Sequence, residues 1–144
     1  MDLPNSEETS MLLGDGRPSF TLKGGTRVLI HAMQSSGATL FTLFTGQRPG
    51  SVVIPDLWIT EQIPQLTAPG DLILKTTASE IPFETHVERF RPDKIVIFVR
   101  DPLDQISSLD SKSYRDLGGT LEKKLAAFDE LFAVRERFDL CVEY

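Results

Sequence analysis

Ser35-Ser36-Gly37-Ala38-Thr39 sets three hydroxyl side chains around a glycine, directly after the apolar run Arg27 to Ala32 and just before the apolar stretch Leu40 to Phe44. Small residues at such a junction let the backbone turn tightly with its N–H groups pointing inward, and a helix that follows adds the positive end of its dipole. The chemistry on offer is the grip of an anion, although an ordinary strand-to-helix turn uses the same residue types. A second junction, Arg100 to Ser108, joins a guanidinium to Ser107 and Ser108 two turns into a helix. The pair suits two separated phosphate groups. The GxxxxGK[ST] pattern of ATP-binding loops is absent, because the loop has no lysine and no second acid-ended strand offers a Mg²⁺ ligand. An ATPase of ordinary type is disfavoured.

Elements that end at one rim must carry both junctions. The spacing predicts a short edge strand over Phe20 to Leu22 and an opening strand from Arg27 to Ala32. The loop and a first helix follow, ending near Gly46. Ser51 to Ile54 reads as a second strand closed by Pro55 and Asp56, Leu57 to Leu66 as a short helix, and Asp71 to Thr77 as a third strand after the Pro69-Gly70 turn. Ala78 to Phe90 reads as a helix with Ser79 as its cap and Pro82 in its first turn. Lys94 to Arg100 is a strand with five consecutive apolar residues, as at the centre of a parallel sheet. Asp101, Pro102 and Asp104 then specify a helix start, running through Leu109 and toward Tyr114 before Gly118-Gly119. Thr120 to Phe138 is a long amphipathic helix and Leu140 to Tyr144 a last strand. Strands alternating with helices imply right-handed parallel crossovers. The expected fold is α/β, a three-layer α/β/α sandwich with a parallel sheet of about five strands, similar to the P-loop nucleotide-binding class. In such a sheet both junctions lie at the carboxyl ends of strands, where ligands bind.

Length and composition narrow the field. The 144 residues suit one domain over residues 20–144, preceded by a polar, acidic leader over residues 1–19. No apolar window approaches the roughly 18 residues of a membrane span, and the N-terminus does not resemble a secretory signal; the expected location is cytoplasmic. A net charge of −6 disfavours a non-specific grip on nucleic acid. His31 and His86 lie far apart without companion cysteines, so no metal is expected.

With those readings in place, the sequence resembles the sulfotransferases that use 3′-phosphoadenosine 5′-phosphosulfate (PAPS). Gln34-Ser35-Ser36-Gly37-Ala38-Thr39-Leu40 resembles the family's PxSGTTxL loop, which binds the 5′-phosphosulfate. Phe98-Val99-Arg100-Asp101-Pro102-Leu103-Asp104-Gln105-Ile106-Ser107-Ser108-Leu109 resembles the VVRNPxDxxxSL motif. Its Arg-to-Ser spacing also matches, which implies that Arg100 and Ser108 hold the 3′-phosphate. The third strand resembles the family's KTH segment, giving Lys75 as the lysine and Thr77 where many members have a catalytic histidine. Asp56 falls where some branches carry a catalytic glutamate. The resemblance runs from about Arg27 to VEY, which is similar to the family's YED strand, and does not extend to the family's usual C-terminal region; the expectation is a short or C-terminally truncated member.

What the resemblance implies is a sulfuryl group moved from PAPS to a hydroxyl or amine of a small molecule or glycan, with Asp56 as base and Lys75 stabilising charge. The loop departs from the pattern: Ser35 stands where the family has Lys or Arg, and one such donor is worth on the order of 3 kcal/mol in a transition state. The competing expectation is therefore a catalytically degenerate module of the same fold that keeps the bisphosphate grip or acts as an interaction partner, with a homo-oligomer or partner chain completing the site. A nucleotide kinase ranks third. Each residue also has a plain structural alternative: Asp56 as a helix cap, Lys75 as a solvated strand-end charge, Arg100 as an ion pair with Asp101. His31 is expected in the core, His86 on a helix surface, Trp58 in the core or an acceptor pocket, and Cys141 as a buried structural thiol.

Overall fold

A computed structural model of the protein describes residues 21–22, 25–57, 67–68, 70–78, 81–112 and 121–143. The leader, the helix expected up to Leu66 with its Trp58, the Ser79 cap and the Gly118-Gly119 break lie outside the described residues.

Five strands form one parallel sheet. We number the elements in chain order: β1 Thr21–Leu22, β2 Arg27–Ala32, α1 Ala38–Thr45, β3 Val52–Leu57, β4 Thr67–Ala68, β5 Leu72–Thr77, α2 Phe83–Phe90, β6 Lys94–Val99, α3 Pro102–Asp110, α4 Leu121–Ala133 and β7 Leu140–Glu143. Strand order is β3-β5-β2-β6-β7, while β1 and β4 pair as a separate parallel ribbon. The sheet thus starts at its centre with β2, goes out to the edge strand β3, returns to fill β5 between them, and crosses over β2 to build the other side. That reversal beside β2 is where an open parallel sheet leaves a crevice at its carboxyl edge.

Alternation along the strands sorts the core into two layers. Ile30, Ala32, Ile73, Val96 and Phe98 pack on one face with Ala38 and Phe41 of α1. Leu29, Leu72, Leu74 and Ile95 pack on the other with Phe83 and Phe90 of α2, and Ile97 continues that layer under Phe128 and Leu131 of α4. The result is the expected three-layer sandwich.

The opposite rim, where strands begin, is held by a repeated device. Asp71, Asp93 and Asp139 each stand one residue before a strand, and each carboxylate accepts a backbone N–H from the chain beside it: Thr26 at 3.1 Å, Arg27 at 2.9 Å and Ile95 at 2.8 Å. Arg27 adds its guanidinium to Asp93 and Lys94 its ammonium to Asp139, both at 2.9 Å. These charge-assisted bonds tie the start of each strand to the chain beside it and so help fix register. Gly25 fits here because a Cβ would sit 1.9 Å from the Gly70 carbonyl oxygen.

Several expectations need correcting. The second strand does not stop at Ile54: β3 runs on through Pro55 and Asp56, which an edge strand allows because a proline there forfeits no interior ladder bond. α2 begins only at Phe83, with Pro82 as its cap residue rather than inside its first turn. Phe83, His86 and Phe90, spaced three and four residues apart, share the face that packs inward; His86 is buried, not on the surface. Helix α4 ends at Ala133, and Arg135–Arg137 form a 3₁₀ turn. Cys141 is exposed, because β7 is the sheet's outer strand.

Candidate functional site

Four strand ends meet at one cleft of about 780 Å³ on the α1 face of the sheet. From β2 come Ser35, Ser36, Gly37, Ala38 and Thr39; from β3 comes Asp56; from β5 come Lys75 and Thr77; from β6 and α3 come Arg100 and Ser108. The loop residues Ser35 to Thr39, Asp56, Lys75, Thr77, Arg100 and Ser108 all line this cleft, whereas Ser107 does not and Trp58 lies outside the described residues. Gly37 and Arg100, remote in sequence, share it.

The loop is shaped by two left-handed residues, Ser35 with φ 62° and Gly37 with φ 94°. Glycine adopts that conformation freely, whereas a serine there is held against its preference. The Ser36 hydroxyl accepts the Ala38 N–H at 3.4 Å, and Gly37 O takes Leu40 N at 3.1 Å. The N–H groups of Ser36, Gly37 and Thr39 donate to none of the described residues, and the Ser35 hydroxyl is buried without a partner among them. A helix start with unused donors and an inward hydroxyl fits an anionic oxygen.

Beside the loop, Lys75, Asp56 and Thr77 close a triangle. Lys75 Nζ donates to Asp56 Oδ1 at 2.9 Å and to Thr77 Oγ1 at 3.1 Å, and Thr77 donates to Asp56 Oδ1 at 3.2 Å. Lys75 is 4% exposed, so it is no solvated strand-end charge. Asp56 reaches it through a bulge. Val52 and Ile54 face the α2 layer, so strict alternation would send Asp56 there too. Between the pairs Ile54–Leu74 and Leu57–Thr76, however, β3 has one residue more than β5. The extra residue turns Asp56 to the α1 face, beside Lys75.

At the other end, Asp101 caps α3 by accepting Leu103 N at 2.9 Å and Asp104 N at 3.1 Å, with Pro102 in the first turn. The Asp101 carboxylate therefore serves the helix start. Arg100 Nη1 donates to Ser35 O at 3.4 Å, and the buried Gln105 amide donates to Gln34 O. Two groups lining or flanking the cleft were missed by sequence reasoning. Lys112 lies four residues beyond Ser108, on the same wall, and Gln105 sits inside the helix motif without any signal of its own.

Beneath the cleft, on the opposite face of the sheet, the rings of His31 and His86 lie tilted at 49° with centroids 5.8 Å apart. His31 Nδ1 bonds the Thr76 hydroxyl at 2.8 Å. Burial is the main cause that lowers His31 to about 3, with His86 and then Lys75 adding repulsion. Burial likewise lowers His86 to about 4, with Arg89 contributing. Both rings are neutral, and both belong to the core rather than the cleft.

The fold is a parallel α/β domain with a crevice at the carboxyl edge of its sheet. No protein-family model and no curated protein matches the chain. Among the described residues no helix is long and apolar enough to cross a membrane.

Proposed function

We propose that this chain is a PAPS-dependent sulfotransferase with a P-loop-like nucleotide site. It would transfer the sulfuryl group to a hydroxyl or amine of a small-molecule or glycan acceptor, in the cytoplasm. The observation that carries the reading is the order of groups along the rim. Following the strand order, Asp56 stands at β3, Lys75 and Thr77 at β5, the loop at β2, and Arg100 with Ser108 beyond β6. Adjacent strands are about 4.8 Å apart, so the β5 and β6 ends are separated by roughly 10 Å. That reach suits a nucleotide with phosphates at both ends of its ribose.

In this arrangement the loop N–H groups and Ser35 hold the 5′-phosphosulfate, and Arg100, Ser108 and Lys112 hold the 3′-phosphate. Lys75 can direct its third N–H at the oxygen leaving sulfur. Asp56 Oδ1 is occupied by Lys75 and Thr77, while Oδ2 has no partner among the described residues. Oδ2 takes the acceptor's proton as the acceptor oxygen bonds to sulfur and the sulfur–phosphate oxygen bond breaks. The products are a sulfate ester and adenosine 3′,5′-bisphosphate.

The absence of a loop cation favours a second reading, a binder of the same nucleotide without transfer, which a partner chain would complete. Calorimetry with adenosine 3′,5′-bisphosphate beside AMP and ATP tests what the two readings share. The expected result is a clear preference for the bisphosphate, reduced at least about tenfold in Arg100→Ala through loss of a charge-assisted contact; preference for ATP would sink both. Transfer of labelled sulfate from PAPS then divides enzyme from binder.

A further inference from the structure

We infer that Gln105 is a positioning residue that latches the loop in its anion-receiving shape, through the hydrogen bond from its side-chain amide to the Gln34 carbonyl. Gln105 is 2% exposed, in the first turns of α3, and reaches a carbonyl 71 positions earlier in sequence. A peptide unit is planar and trans, so the Gln34 C=O and the Ser35 N–H point in opposite directions on one rigid plate. Fixing the carbonyl fixes that N–H and the torsion at which Ser35 begins. Ser35 carries a Cβ yet sits at φ 62°, a conformation that single L-residues keep only when their surroundings impose it.

The bond from Arg100 to Ser35 O is longer, at 3.4 Å, and comes from the same side. Of the two, the Gln105 bond is the shorter and comes from a buried side chain, so it is the stronger constraint on the loop. It also ties the loop to α3, the helix that carries Ser108, so the two halves of the cleft hold a fixed separation. A ligand with two anionic groups a set distance apart gains from that; a ligand with one does not.

The latch deepens the nucleotide reading but can be tested without it. Backbone order parameters of Ser35, Ser36 and Gly37 are measured by nuclear magnetic resonance on the full chain, in the wild type, Gln105→Met and Gln105→Glu. Both variants keep the side chain's length and lack the amide donor. The expected result is a fall from about 0.85, a rigid backbone, to below about 0.6, while β2, β5 and β6 stay rigid. Affinity for adenosine 3′,5′-bisphosphate should drop at least tenfold; AMP, whose one phosphate sits on the same loop, should weaken too, but by less, because it has no second anion to hold at a set distance. An unchanged loop in a folded variant overturns the inference, as does loss of sheet order in both variants, which would make Gln105 a general packing residue. A loosened loop in a protein whose wild type binds no bisphosphate would leave the latch standing and end the nucleotide reading.

Discussion

Lys75 and Asp56 are unequal partners, and the inequality has consequences for stability. The lysine side chain is 5% exposed and the aspartate 49%, so removing either one leaves a different remainder. Asp56→Ala strands a buried ammonium with only the Thr77 hydroxyl, and should cost about 3 kcal/mol of unfolding free energy. Lys75→Met leaves a half-exposed carboxylate that water can solvate, and should cost less than about 1 kcal/mol; urea denaturation of the two variants measures the difference. If so, the charge of Lys75 is kept for a ligand rather than for folding. A second residue-scale test concerns the missing cation. Ser35→Lys supplies a donor where the resembled family has one, and should raise transfer of labelled sulfate by up to about 10²-fold in an enzyme, while a pure binder would gain affinity only. The turn after β2 and the start of α3 were legible as strand-to-helix junctions because small residues and a local cap signal them between neighbours in sequence. Asp56 is singled out by the resemblance and expected just after the second strand, whereas its place beside Lys75 depends on a bulge near Pro55 that alternation rules do not foresee. Lys112 and Gln105 had no signal, since an isolated lysine or glutamine acquires meaning only once the helix it sits on has a neighbour.

At the scale of elements, α3 decides the width of the cleft. Its start was the best specified in the chain, and the Asp101 cap and Pro102 appear as expected because capping is local chemistry between neighbours in sequence. Asp101→Ala removes the acceptor for two helix N–H groups and should lower stability by about 1 kcal/mol. Because Arg100 and Ser108 flank that turn, bisphosphate affinity should fall more than AMP affinity, which paired calorimetric titrations would show. The strands were readable from their apolar runs, and β2, β5 and β6 lie within a residue of expectation. Helix α2 starts later than expected because Pro82 is the residue before it and not part of its first turn. His86 is buried because it shares one helix face with Phe83 and Phe90, at spacings of three and four residues, and that face packs on the sheet. The aspartates before β5, β6 and β7 were visible as residues but not as a pattern, because each binds a strand adjacent in space rather than in sequence.

For the whole molecule, the buried histidine pair governs behaviour in acid. His31 and His86 are neutral in the fold, and their Nε2 atoms have no partner among the described residues, so neither can take a proton without an unsatisfied charge in the core. In the unfolded chain both rings titrate near pH 6.5. Their folded values are depressed to about 3 and about 4, so the unfolded state binds more protons between those limits. Stability is therefore fully present above pH 6.5 and falls as the pH drops, at a slope approaching about 1.4 kcal/mol per pH unit for each ring. Asp93 and Asp139 do not oppose this trend. Their carboxyls are held below the ordinary value chiefly by hydrogen bonds from Arg27 and Lys94, so their contribution disappears only as the pH falls below the usual carboxylate range. A domain of this size is stable by about 5–15 kcal/mol, so the two rings together can exhaust a large part of that before pH 4. His86→Phe keeps an aromatic ring beside His31 and removes one titrating group. Between pH 6.5 and 4.5 its unfolding free energy should lose roughly half of the wild-type slope, with little change in slope at pH 7 to 8. Urea unfolding at half-unit pH steps measures this, and equal slopes in the two proteins would mean that His86 is not kept neutral by the fold.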